Sequence, residues 1–594
     1  MAAVFRRVLG YLGPYRAGFV WALVQLVFIT ALELAKPWPL KIVIDYVLGG
    51  ASLPGDVGAG WSPVTLLGVA CAALVLIQVV LGALTLVNLR TTVGIGQRMV
   101  YDLQRDLYAH LQRLSLAFHT RRQVGDLLYR VTADTYAIQT LAMNGIFPVV
   151  SASLLLVGMA VVMGRLDPGL TVLALAVCPV LMIALTVLNT RISKAARQAR
   201  ERESTMYTVA QQALASIRVI QAFTREPDEH RRFMTASRAS LAATMQLHTL
   251  QAVYAWVVNV VLAVGTAVVI WIGARHVLAG TLTVGELVVF ASYLAALYVP
   301  VNNLLQTYGL VHGAKAGVER VLDILELEDD LPDGHRVIAP RGARGEIAWD
   351  GVSFEYVPGR LALSDVTLRV AAGERVAIVG ATGAGKSTLV GLVPRFYDVK
   401  AGRVAIDGID VRELRLVSLR QQIAMVLQPP LVFPISIREN IAYGRPEARE
   451  QEIVAAATLA AAHDFIASLP DGYDTVVGEG GATISEGEKL RLTIARAVLR
   501  DAPVLILDEP TAALDAETEA LVMHAVARLT AGRTCLIIAH RLSTARMADR
   551  IVVLRAGRIS EIGTFDELMR RDGVFASLYR RQFERAEVMP HVRS

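Results

Sequence analysis

The chain has 594 residues, of which 54% are hydrophobic and 19% charged, and its mean hydropathy is +0.46. Soluble domains carry about 45–50% apolar and about 25% charged residues, which argues against a wholly soluble enzyme and against a disordered or collagen-like chain. The net charge of +6 is modest for this length and speaks against nucleic-acid binding, and Cys71, Cys178 and Cys535 are too few and too scattered for a disulfide framework or a zinc site.

A bilayer-spanning helix needs about 20 mostly apolar residues. Six stretches satisfy this, at 17–35, 63–88, 139–163, 169–189, 250–274 and 284–311. The first follows Arg6, Arg7 and Arg16, but its apolar run exceeds the roughly 7–15 residues of a signal core, so it is expected to be retained. The segment 1–15 reads as a short interfacial helix with Tyr11 and Tyr15 at headgroup level. Basic residues crowd the connection between spans two and three (Arg90 to Arg130) and that between spans four and five (Arg191 to Arg238). The connections near 165–167 and 275–282 hold almost none. Positive charge marks the cytoplasmic side, so both long connections, the N-terminus and the C-terminal half are expected there. Both long connections keep helical spacing and read as spans continuing beyond the membrane, with turning points near 115–125 and 212–224 able to dock onto a soluble domain. Gln25, Glu33, Gln78, Asn144, Asn259, Glu286, Asn302, Asn303 and Gln306 are polar residues inside spans. Individually they suit bonds between helices; as a set they suggest a translocation cavity.

Hydrophobicity falls after residue 312. Residues 313–328 look helical, and the acidic, Pro/Gly-marked stretch to Pro340 reads as a linker. From about 345, short β-rich runs alternate with helical ones: 346–349, 366–370, 375–379, 504–507, 535–539 and 551–554. That alternation predicts an α/β domain with a largely parallel sheet. The expected organisation is thus a six-span helical membrane domain (1–312), a linker (313–344), an α/β domain (345–585) and a tail (586–594).

The strongest chemical signal is Gly380-Ala381-Thr382-Gly383-Ala384-Gly385-Lys386-Ser387, a match to G-x-x-x-x-G-K-[ST] between a strand and an apolar helical run. Its glycines let backbone N–H groups close around a polyphosphate. Lys386 would reach the β- and γ-phosphates and the Ser387 hydroxyl would ligate Mg²⁺; Thr388 follows directly. Val504-Leu505-Ile506-Leu507-Asp508-Glu509 reads as a buried strand with two carboxylates at its C-terminal end, the end where α/β sheets bind ligands. Asp508 suits Mg²⁺, and Glu509 suits a base that orients attacking water.

With these motifs in order, the whole chain resembles an ATP-binding-cassette exporter half-transporter, of the type that fuses membrane domain and ATPase. The resemblance implies further roles. Tyr356 would stack on adenine. Gln428 would lie between Mg²⁺ and the membrane domain. Asp515 belongs to the loop after the catalytic carboxylate, and His540 would contact γ-phosphate. The turning points match the family's coupling helices. Two ATPase domains of the family sandwich two nucleotides head to tail, each between one phosphate loop and the other domain's signature, usually Leu-Ser-Gly-Gly-Gln. Here the signature reads Ile484-Ser485-Glu486-Gly487-Glu488, a departure at three positions. Ser485 and Gly487, the positions that would touch γ-phosphate, are kept. Ser485 and Glu488 form an S-x-x-E capping box, so the helix is expected to be intact. Glu486 is the difficulty. A carboxylate about 6 Å from a phosphate charge, at an effective dielectric of about 20, is repelled by roughly 3 kcal/mol per unit charge. It must point away from nucleotide or weaken that site. A homodimer with Glu486 turned aside, or a heterodimer with a second half-transporter, would each accommodate it.

The implied activity is ATP-driven export or flipping of a hydrophobic or amphipathic substrate (drug, lipid, peptide or glycan) across the cell membrane, with ATP and Mg²⁺ as cofactors, membrane lipid around it and no nucleic-acid partner. An importer on the same fold, or a non-transporting regulatory ATPase, is the alternative.

Overall fold

The computed structural model describes residues 10–51, 61–327, 331–478, 484–508, 516–539 and 542–587. Glu509, Asp515 and His540 lie outside them. The chain divides into two compact units: Met1–Leu111 with Gly125–Leu327, and Gln112–Val124 with Glu328–Ser594.

The first unit is helical. Its long runs are α1 (Gly10–Leu48), α2 (Pro63–Arg113), α4 (Val124–Leu166), α5 (Pro168–Ala215), α7 (Glu226–Leu278) and α8 (Val284–Leu325). Two short helices mark the predicted turning points: α3 (Leu116–Arg121) and α6 (Ile217–Ala222). Among the described residues, α1, α2, α4, α7 and α8 are long and apolar enough to cross a membrane, and α5 opens with the apolar stretch Pro168–Val177. The predicted spans each fall inside one of these six helices. At 1.5 Å per residue, the helices of about 50 residues are about 75 Å long, against a hydrocarbon core of about 30 Å, so they extend well past it.

Local chemistry sets the helix ends. Asp167 accepts from the N–H groups of Gly169 (2.9 Å) and Leu170 (3.0 Å), capping α5, and its other oxygen meets Nδ1 of His276 at the end of α7 (2.6 Å). Thr283 and Glu286 form a capping box on α8, and Glu286 also pairs with Lys41 (3.2 Å). Asp45 is buried and accepts from Thr283 Oγ1 and the Gly285 N–H. Of the segment 1–15, expected at the interface, residues 10–15 are described, Tyr11 and Tyr15 among them. They sit in the run that continues into the first span, and their hydroxyls donate to Asp106 (3.5 Å) and Asp102 (2.7 Å) of α2.

The second unit holds two sheets. Its strands are β1 (Ile347–Val357), β2 (Arg360–Val370), β3 (Arg375–Val379), β4 (Ala401–Ile406), β5 (Ile409–Asp410), β6 (Ile423–Val426), β7 (Val504–Asp508), β8 (Thr534–Ile538), β9 (Arg550–Arg555) and β10 (Arg558–Gly563). One sheet runs β2-β1-β4-β5 and is antiparallel; the other runs β10-β9-β3-β8-β7-β6 and is parallel except for β10. The runs at 346–349 and 366–370, expected in the parallel sheet, instead form the β1–β2 hairpin of the antiparallel one.

The parallel sheet is buried on both faces, as its continuous apolar strands require. Val504, Ile506, Leu536 and Ile538 join a core that holds the antiparallel sheet and α9 (Lys386–Gly391). The alternate residues Leu505, Leu507, Cys535 and Ile537 join the core under α10 (Glu486–Arg500). The pleat period of two therefore puts the phosphate-loop helix and the signature helix on opposite faces of one sheet. Cys535 is plain filler: burial pushes its thiol up to about 12.

Candidate functional site

β3 delivers the phosphate loop. Ile378 of β3, Ile538 of β8 and Asp508 of β7 are in register across three adjacent parallel strands. The loop begins two residues past Ile378, so Gly380 and Asp508 emerge at the same edge. β6 pairs Val426 with Leu507, which brings Gln428 out beside Asp508. This is the carboxyl edge of the parallel sheet, the expected place for a ligand.

The loop turns through conformations that side chains resist. Gly383 and Gly385 have φ of +81° and +103°. A Cβ on Gly385 would stand 2.9 Å from the Ala362 carbonyl oxygen, and one on Gly380 would stand 2.4 Å from that of Leu554. Thr382, Gly383 and Ser387 are exposed, while Ala384, Lys386 and Thr388 are buried. The Lys386 ammonium donates to the carbonyls of Gly380 (2.9 Å) and Ala381 (3.2 Å), which holds it over its own loop. Backbone donors around a loop closed to a Cβ at Gly380 and Gly385, with one buried ammonium, suit a polyphosphate. Ser387, Gln428 and Asp508 supply hydroxyl, amide and carboxylate oxygens, the hard donors that Mg²⁺ prefers.

Tyr356, near the end of β1, packs edge-on against Phe354 and Tyr397, with centroids 4.8 and 5.3 Å away. Its hydroxyl bonds Thr388 Oγ1 at 3.0 Å, linking the aromatic cluster to α9. The turning-point helix α3 belongs to this same unit. Arg121 Nη2 donates to the Tyr356 carbonyl at 2.6 Å, and Thr120 hydrogen-bonds Tyr397. Sequence reasoning marked the turning point but not these two residues; nothing in their local pattern singles them out.

Ser485 and Gly487 are not on the same face as the loop. They start α10, where the capping box is formed: Glu488 Oε2 accepts from the Ser485 N–H (2.7 Å) and hydroxyl (2.8 Å). Glu486 does not stand alone. Lys489 Nζ donates to its Oε1 at 2.6 Å, one turn along the helix. The i,i+3 spacing of Glu486 and Lys489 was the signal that could have revealed this pair.

In the first unit, a cleft of 710 Å³ lies between α4, α5, α7 and α8. Of the nine polar residues noted in the spans, Asn302 and Gln306 line it. Gln25 instead accepts from Asn88 between α1 and α2 (3.1 Å), and Gln78, Asn144, Asn259 and Asn303 are exposed on this chain. Asn189, Gln251 and Tyr254 also line the cleft and were not anticipated.

Residues 19–301 match the model of the ABC transporter transmembrane region, and residues 363–512 match the ABC transporter ATPase model. The ATP-dependent lipid A-core flippase of Syntrophus aciditrophicus (strain SB) is 35% identical over 585 residues, covering 98% of this chain and 95% of that protein. A putative multidrug export ATP-binding/permease protein of Bacillus subtilis (strain 168), YgaD, is 34% identical over 587 residues, covering 97% and 99%. A solved bacterial Atm1-family ABC exporter with ATP bound superposes with a TM-score of 0.77 at 30% identity, covering 96% of this chain and 98% of that one. The chain therefore belongs to the ABC transporter family, as an exporter with membrane domain and ATPase fused, and it couples ATP hydrolysis to transport.

Proposed function

We propose that the chain works as a homodimeric exporter or flippase of an amphipathic substrate, with two ATP molecules held between the loop 380–388 of one copy and the segment 484–488 of the other. The observation that carries the homodimer reading is the Glu486–Lys489 pair. The carboxylate that sets this signature apart is tied to an ammonium on its own helix, so the approaching phosphates meet a neutral pair rather than a bare negative charge. Ser485 and Gly487 stay at the helix start, with the capping box ordering the turn. The apolar side chains around α6 support a second copy as well: Leu214 and Phe223 are each 71% exposed and Val219 is 58% exposed. An exposed patch of this kind marks an interaction site.

In this reading Lys386 exchanges loop carbonyls for phosphate oxygens, and Tyr356 offers its ring to adenine. Glu509 orients the attacking water, with His540 at the γ-phosphate and Asp515 in the following loop. Mg²⁺, when bound, supplies charge neutralisation at the phosphates; Ser387, Gln428 and Asp508 are the residues to hold it. Arg121 and Thr120 hold α3 to the Tyr356–Tyr397 pair. The basic connections support a cytoplasmic position for α3, α6 and the ATPase domain at the cell membrane. The flippase and multidrug-export names of the relatives support an amphipathic cargo moving outward.

The test is ATPase activity of this chain alone in lipid nanodiscs, beside its Glu509→Gln variant. Hydrolysis that falls about 10²–10⁴-fold in the variant is expected, the usual worth of a general base. A folded, ATP-binding chain without hydrolysis would instead require a second half-transporter with the usual signature.

A further inference from the structure

The cleft in the first unit carries information on cargo. Its walls come from α4, α5, α7 and α8, at the level where spans four, five and six reach their cytoplasmic ends. Eight of the lining residues carry uncharged polar side chains, two on each of the four helices: Tyr136 and Thr140 on α4, Asn189 and Ser193 on α5, Gln251 and Tyr254 on α7, Asn302 and Gln306 on α8. Small or apolar residues such as Ala137, Ile192 and Leu310 complete the wall. Among the described residues no Asp, Glu, Lys, Arg or His lines it. Two ion pairs lie on α4 and α8, the helices that supply part of the wall. Arg320 holds the buried Asp134 through two bonds, at 2.6 and 2.7 Å, and Lys315 pairs with Glu319 at 3.4 Å. Arg191 and Lys194 flank Ile192 and Ser193 but are exposed and lie outside the lining.

A headgroup bearing a full charge would find no charged partner in this lining. Carboxamides, by contrast, both donate and accept. Asn302 Oδ1 already accepts from the Tyr254 hydroxyl at 3.1 Å, which fixes the amide and leaves its N–H groups to the cleft. A wall of oriented amides and hydroxyls matches a ligand that also donates and accepts at every polar atom, namely a polyhydroxyl group. The apolar remainder of the wall suits a hydrocarbon portion, and 710 Å³ is within the range of about 300–1,000 Å³ typical of small-molecule sites.

We infer that this cleft receives a lipid with an uncharged sugar headgroup, in preference to a phosphate-bearing lipid or a cationic amphiphile. The inference rests on the exporter reading above and names its substrate class. The experiment uses the full chain in phosphatidylcholine nanodiscs and reads ATPase stimulation by three probes of equal chain length: a monoglucosyl diacylglycerol, a phosphatidylglycerol and an alkyltrimethylammonium. Half-maximal stimulation by the glucosyl lipid is expected at a concentration at least tenfold below that of either charged probe. Asn302→Lys should move the preference toward phosphatidylglycerol, and Gln306→Glu toward the ammonium, each by tenfold or more. Two variants of opposite sign guard against a fold defect, since a damaged protein gains no new preference. A charged probe that matches the glucosyl lipid in the parent, or an order unmoved by both variants, overturns the assignment. So does stimulation by none of the three while Glu509-dependent hydrolysis persists, which leaves the pump reading standing. Absence of Glu509-dependent hydrolysis in the parent counts against the self-sufficient pump itself.

Discussion

The phosphate loop and the signature segment are assigned to opposite sides of one nucleotide, and the sequence treats them differently. In the loop every family position is kept, and the backbone itself demands it: a Cβ at Gly380 or Gly385 would collide with main-chain oxygens. The signature segment has three changed positions, and side chains absorb the change. Glu488 caps the helix, and Glu486 is neutralised by Lys489. Where backbone makes the site, the residue types cannot vary. Where side chains make it, variation is tolerated provided that charge and capping are restored nearby.

Four variants sharpen or break this contrast. Gly385→Ala should act most strongly, because φ of +103° and the Ala362 oxygen both oppose a methyl group. A strain of about 1–3 kcal/mol should weaken binding of a fluorescent ATP analogue by about 5- to 150-fold. Next, Lys489→Met should release the Glu486 carboxylate and lower ATPase turnover by about tenfold or more, on the strength of roughly 3 kcal/mol of repulsion reduced by solvent. Adding Glu486→Gln should restore it; if the double variant stays as slow as the single one, the pair has no part in compensation. Ser485→Ala removes the cap, worth about 1 kcal/mol. Amide exchange at 486–490 should quicken about fivefold in the full chain. Weakest is the ion pair that steadies the loop's own strand. Asp549 is held below the usual carboxylate range chiefly by its hydrogen bonds from Arg375, at the head of β3. A lowered folded-state value means the stabilisation is present above the unfolded value of about 3.9 and fades as pH falls through the folded one. The side chains are 38% and 45% exposed, so Asp549→Asn should cost under about 1 kcal/mol at neutral pH. Below about pH 3 that difference from the parent should shrink in denaturant titrations.

How much was legible follows from how each feature is encoded. The phosphate loop is contiguous, and its chemistry is carried by consecutive residues, so sequence sufficed. The spans were legible from their apolar length, and Ser485 and Glu488 were read as a capping box from spacing alone. β4 and β5 were not foreseen. β4 contains Gly402 and Arg403, and β5 has two residues, so neither makes an apolar run; β4 is a strand because β1 offers an edge to pair with, and β5 because β4 then offers the next. The cleft was half legible. Asn302 and Gln306 looked no different from the exposed Asn303, and only the packing of four helices separates a lining amide from an outward one.

The helix α2 has one further consequence. A rod of 51 residues is about 75 Å long. It behaves as a lever: one degree of tilt moves its far end by about 1.3 Å, since arc length is angle times radius. The rod ends at the short elbow Leu114-Ser115, where the Ser115 hydroxyl caps α3. A glycine pair placed there would remove that cap and free the backbone of the elbow.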